Sequence, residues 1–148
     1  MEHVELSIEI NASAEEVWRG ITNWPAQSQW MLGTKVNGVD GAAQEVGGRI
    51  SAFTGIGPIG FLDTMTITRW EPPYRCDVDH TGKVVMGTGT FLIQALGESR
   101  CRFVWSEDLR IPLGKIGAIG FALLRPLFLG GVRASLKSFA RLVEAGTL

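Results

Sequence analysis

Residues 3–10, His3-Val-Glu-Leu-Ser-Ile-Glu-Ile10, alternate with Val4, Leu6, Ile8 and Ile10 on one side and polar groups on the other, the period of a half-buried strand. Ser13-Ala-Glu-Glu16 has the form of a capping box, and Ala14, Val17, Trp18 and Ile21 follow at helical spacing, which predicts a short amphipathic helix to about Thr22. Pro25, behind Asn23-Trp24, suits the first position of a second short helix ending near Met31. From Thr34 to Pro112, β-branched and aromatic runs broken by Gly, Pro and Asp predict six strands, at 34–40, 48–54, 61–71, 74–81, 84–96 and 100–111. Their connections are too short for parallel crossovers, so the strands form an antiparallel meander. After Gly114 the period becomes helical, with Val132, Leu136, Phe139 and Val143 on one stripe and Arg133, Lys137 and Arg141 on another. A helix of about 28 residues, roughly 42 Å long, closes the chain. It is long enough to cover the apolar face of a seven-stranded sheet.

Composition narrows the class. A chain of 148 residues with 45% hydrophobic and 20% charged positions reads as one globular domain and excludes disorder. Lys and Arg number 14 against 15 Asp and Glu, a net charge of -1 that is too balanced for a nucleic-acid binder. Cys76 and Cys101 form no disulfide framework and no zinc-ligand spacing, so they read as buried thiols in a reducing compartment, and no metal or cofactor is expected. Glu2, Glu5 and Glu9 replace the basic flank and apolar run of a secretory signal, and a cytoplasmic location is expected. The segment Ile116–Leu129 is strongly apolar, but Arg125 and Pro126 interrupt it and its longest uncharged run, Ile116 to Leu124, is far short of the roughly 20 residues of a membrane span. Two uses remain for it if the core leaves it free: the surface of a weak homodimer, or contact with a membrane surface aided by Lys115, Arg125 and Arg133. A monomer is the other expected state.

Four local patterns carry a family resemblance. Ile10-Asn-Ala-Ser-Ala-Glu-Glu-Val-Trp18 leads into the first helix, Asn23-Trp24-Pro25 through Trp30-Met31 forms the second, Thr68-Arg-Trp-Glu-Pro-Pro-Tyr-Arg75 joins two strands through a proline pair, and Arg102-Phe-Val-Trp105 lies in the last strand. Together with the order of elements they resemble the START-like, polyketide cyclase/dehydrase (SRPBCC) superfamily over nearly the whole chain. The resemblance implies an α+β helix-grip domain spanning residues 1–148. Its seven-stranded antiparallel sheet would curve around a long C-terminal helix, with two short helices after the first strand. Members include cyclases and dehydratases of aromatic polyketides, lipid and sterol carriers and hormone receptors. The shared motifs are structural punctuation without a catalytic group.

Inward polar residues are the most informative chemistry, because burying them costs free energy unless they are paired or meet a ligand. Strand parity puts Asp63 with Phe61, Met65 and Ile67, His80 with Cys76 and Val78, and Glu107 with Phe103, Trp105 and Leu109. One bulge would flip every later side chain. If the three converge, His80 is the proton carrier and Asp63 orients it, which suits aldol cyclisation or dehydration; otherwise they are solvated strand ends. Trp30, Met65, Ile67, Val78, Phe103, Trp105 and Glu107 are the expected ligand-facing set. The resemblance adds Phe121, Leu124 and Phe128 of the long helix, as cavity lining and entrance, and Pro126 is expected to kink that helix. Gly55-Ile-Gly-Pro-Ile-Gly60 spells a dinucleotide fingerprint, but strand sequence follows it instead of a helix, so it reads as a hairpin, either a lid or a passive turn. No serine elbow is present. The leading expectation is a binding module for a small hydrophobic or aromatic molecule. An acid/base cyclase or dehydratase and a ligand-free protein-interaction domain are the alternatives.

Overall fold

The computed structural model describes residues 1–148. Strand β1 (Glu2–Ile10) leads into helix α1 (Ala14–Ile21) and a 3-10 helix (Trp24–Gln29). Six strands follow, β2 (Thr34–Val39), β3 (Arg49–Ile56), β4 (Ile59–Glu71), β5 (Arg75–His80), β6 (Gly87–Gly97) and β7 (Arg100–Leu109), before helix α2 (Gly114–Glu144). The sheet runs β1-β7-β6-β5-β4-β3-β2, antiparallel throughout. The meander is therefore uninterrupted, and β1 joins it beside the last strand.

Local chemistry explains the boundaries. The Ser13 hydroxyl accepts the Glu16 amide at 3.2 Å and donates to the Glu16 carboxylate at 3.1 Å, which starts α1. Pro25 opens the segment after Asn23, but it closes as a 3-10 turn within six residues. The glycine-rich run at 55–60 is a tight hairpin with Gly57 at φ +60°, and β3 and β4 pair right up to Ile56 and Ile59. A β-bulge between Ile67 and Arg69 inserts one extra residue in β4, turning Trp70 inward opposite Cys76, where its ring meets Trp18 edge-on at 4.8 Å. Helix α2 continues through Pro126.

The core lies where α1 and the C-terminal half of α2 meet the sheet. Ser135, Leu136, Phe139, Ala140 and Val143 of α2 are buried, against Ile10, Ile93 and Phe103 of the sheet and Val17 and Ile21 of α1. Gly20 lets the two helices touch, since a Cβ there would stand 3.2 Å from Phe139 and Val143. Two expected cavity residues belong to this core instead: Ile67 is 1% exposed and Phe103 is fully buried, with the Phe103 ring centred 5.8 Å from that of Phe139. Both point inward as parity required, but into the packed core. Leu124 is corrected in the other direction. It is 62% exposed and is not among the residues that line the cavity.

Candidate functional site: an apolar cavity with one buried charge cluster

Between the sheet and the N-terminal half of α2 lies a cavity of about 450 Å³, lined by 31 residues of which 21 are hydrophobic. Val36, Ile50, Ala52, Met65, Val78 and Trp105 form its sheet wall, and Trp24 and Trp30 close one side. Phe121, Phe128 and Val132 of α2 face them, with the largely exposed Leu127 at the edge of the lining. The aromatic wall is continuous, with Trp105 and Phe128 centred 6.1 Å apart and Phe128 and Phe121 6.4 Å apart. Trp24 donates its indole N–H to the Ala43 carbonyl at 2.8 Å, whereas the buried Trp30 Nε1 has no partner. Thr34, Thr54 and Ser135 add hydroxyls, but Ser135 already accepts the Leu32 amide at 3.1 Å and the two threonines bond each other at 3.0 Å.

Apart from the Cys76 thiol, the lining holds only three ionisable groups, and they touch. Asp63 lies on the same face of β4 as Met65, which pairs with His80 of β5. The Asp63 carboxylate receives His80 Nδ1–H at 2.9 and 3.1 Å. On the other side His80 Nε2–H reaches Glu107 Oε2 of β7 at 2.7 Å, across the whole width of β6. That reach exists because β6 presents glycine there: Gly87 pairs with His80 and Gly89 with Glu107. A Cβ on Gly89 would stand 2.9 Å from both Glu107 carboxylate oxygens. Sequence reading missed these two glycines, although Gly87-Thr-Gly89 is an unusual alternation for a strand interior.

The electrostatics follow from the bonding. The side chains of His80, Asp63 and Glu107 are 4%, 14% and 12% exposed, so water screens them little. Burial opposes a charged imidazole, but hydrogen bonds and attraction from Asp63 and Glu107 outweigh it and push the His80 pKa up to about 10. Burial holds the Glu107 carboxyl above its ordinary range, with His80 pulling the other way. The ring is an imidazolium at neutral pH. Both its nitrogens carry protons given to carboxylates, so it offers no lone pair for a general base or a metal ion. Cys76 is no nucleophile, because burial pushes its thiol up to about 12.

Of the residues singled out in the sequence, His80, Asp63, Glu107, Trp30, Met65, Val78, Trp105, Phe121 and Phe128 all line the cavity. Ile67, Phe103 and Leu124 do not. Ile50, Ala52, Phe91, Leu127 and Val132 line it without having been singled out as ligand-facing. For Ile50 and Ala52 the signal was their alternation along β3, and for Val132 its place on the stripe of α2.

A family profile described as "Polyketide cyclase / dehydrase and lipid transport" matches residues 1–144. No curated protein sequence matches the chain. Among solved structures, the Zhui aromatase/cyclase from Streptomyces sp. R1128 superposes with a TM-score of 0.79 at 14% identity, covering 97% of this chain and 93% of that one. The di-domain aromatase/cyclase BexL from the BE-7585A biosynthetic pathway gives 0.74 at 19% identity over 97% of this chain, which spans 47% of BexL. A norcoclaurine synthase point mutant from Thalictrum flavum, solved with a transition-state analogue, gives 0.70 at 15% identity, covering 99% of this chain and 96% of that one. At these identities the likeness is one of fold: a seven-stranded antiparallel sheet with a long C-terminal helix, the helix-grip arrangement.

Proposed function

The chain belongs to the polyketide cyclase / dehydrase and lipid transport family, and on that premise we propose that it binds one small hydrophobic molecule, lipid- or polyketide-like, between the sheet and α2. The observation that carries this is the cavity itself, about 450 Å³ with 21 of 31 lining residues hydrophobic. That lies within the roughly 300–1,000 Å³ of small-molecule sites. The charge cluster sets the polarity of the occupant. The Glu107 carboxyl oxygens among apolar walls favour a ligand hydroxyl or other donor at that end. A reducing, cytoplasmic setting belongs to the same reading, supported by the two free buried thiols.

The same cluster favours a second reading, an enzyme of the cyclase or dehydratase type. In it Glu107, whose carboxyl is raised by burial, takes the proton next to a ligand carbonyl and returns it to the new hydroxyl or to departing water. His80 and Asp63 are then positioning residues that hold Glu107 and balance its charge.

Native mass spectrometry of the protein purified from its own host tests the proposal. A non-covalent small molecule at one per chain supports it, and bare protein from the host overturns it. Incubation of the recovered ligand with the protein separates the two readings. A carrier returns it unchanged, whereas an enzyme converts it and loses conversion, with binding kept, in Glu107→Gln.

A further inference from the structure

We infer that the outer face of the N-terminal half of α2 docks on the surface of an anionic lipid bilayer. The two halves of this helix differ. Every buried residue of α2 lies at or beyond Ser135, while Ile116, Ile119, Leu123 and Leu127 are 78%, 64%, 76% and 77% exposed. Their spacing of three and four residues puts them on one stripe, opposite Phe121 and Phe128, which cover the cavity. Soluble monomers rarely leave such an apolar row bare. By length and mean hydropathy alone α2 passes as a candidate membrane span, although Arg125 interrupts its uncharged run. Its buried C-terminal half ties it to the sheet, however, so it lies along the surface instead.

Charge identifies the occupant. From Leu109 to Val143 there are six cations, Arg110, Lys115, Arg125, Arg133, Lys137 and Arg141, and no Asp or Glu, in a chain whose net charge is -1. Only Arg125 among them is paired, with Glu2 at 3.3 Å. A second copy meeting this face by two-fold symmetry would set these cations against each other. An anionic lipid surface attracts them. Leu127 belongs to both the exposed stripe and the cavity lining, so the docking face adjoins the cavity. The inference holds whatever the cavity contains.

Flotation of the full chain with vesicles of mixed phosphatidylglycerol and phosphatidylcholine tests it, against vesicles of phosphatidylcholine alone. The protein floats with the anionic vesicles and falls away as salt rises. Ile119→Glu with Leu123→Glu, both outside the cavity lining, weakens binding at least about tenfold. Lys115→Ala with Arg133→Ala weakens it about fivefold per charge removed. Each variant keeps the wild-type circular dichroism and melting temperature. Failure of the wild type to float overturns the inference. So does flotation retained by both double variants, or a stable dimer in light scattering that the Ile119→Glu/Leu123→Glu pair dissociates.

Discussion

Replacing Glu107 with Gln removes the charge 2.7 Å from His80 Nε2 while keeping an acceptor of the same shape. A hydrogen bond to a charged partner is worth about 1.5–3 kcal/mol, so the His80 pKa should fall by roughly one to two pH units from its value of about 10. Asp63, held at 2.9 Å, keeps it above the ordinary 6.5. Carbon-detected NMR titration of the two histidines reads this directly, with His3, raised by its own hydrogen bond to Asp108, resolved as a separate titration. The same shift links folding to pH. His80 binds its proton more tightly when folded, so its contribution is complete below 6.5 and is lost as pH rises through about 10. Glu107, also raised, acts in the same direction. At about 1.4 kcal/mol per pH unit the ceiling on the loss is roughly 5 kcal/mol, shared with Glu107 because the two groups are coupled. Urea melts from pH 6 to 10 should show stability falling steadily in the wild type and less steeply in Glu107→Gln. A His80 that titrates near 6.5 in the wild type, or is unmoved by the substitution, would refute the reasoning.

Three further outcomes follow from particular contacts. Gly89→Ala should push the Glu107 carboxylate off His80, lowering the His80 pKa and the melting temperature, and should be nearly silent when Glu107 is already Ala; an effect equal in both backgrounds contradicts the crossing through β6. Phe139→Ala, which removes a fully buried ring packed 4.9 Å from Trp30 and 5.8 Å from Phe103, should cost about 3–5 kcal/mol in denaturant melts, and a cost under about 1 kcal/mol would mean the core lies elsewhere. Cys76 should resist iodoacetamide in the native protein at pH 8 and react on unfolding, whereas rapid native labelling would contradict its buried, unionised thiol.

Much of the frame was legible because each element obeys one period. Asp63, His80 and Glu107 could be placed on one face since no bulge precedes them: the irregularity of β4 begins only after Ile67. Parity gives the face but not the depth along it. Met65 and Ile67 share a face, yet one lines the cavity and the other lies in the core. Leu124 was misplaced because it closes the uncharged run from Ile116, along which periodicity names no inner side. The bridge from His80 to Glu107 needed the strand order, which puts glycines between residues 27 apart in sequence.

The central claim is that the space under α2 receives a hydrophobic molecule, and the most direct measurement is titration with the neutral probe N-phenyl-1-naphthylamine, read by the fluorescence of the probe and of Trp24, Trp30 and Trp105. Ala52, a small lining residue on β3, provides the control, since Ala52→Trp would fill the cavity from the sheet side. The wild type should bind one probe per chain saturably, with its tryptophans quenched, and Ala52→Trp, folded by circular dichroism, should bind at least about tenfold more weakly. Absence of saturable binding by the wild type, or equal binding by the folded Ala52→Trp protein, would contradict the account.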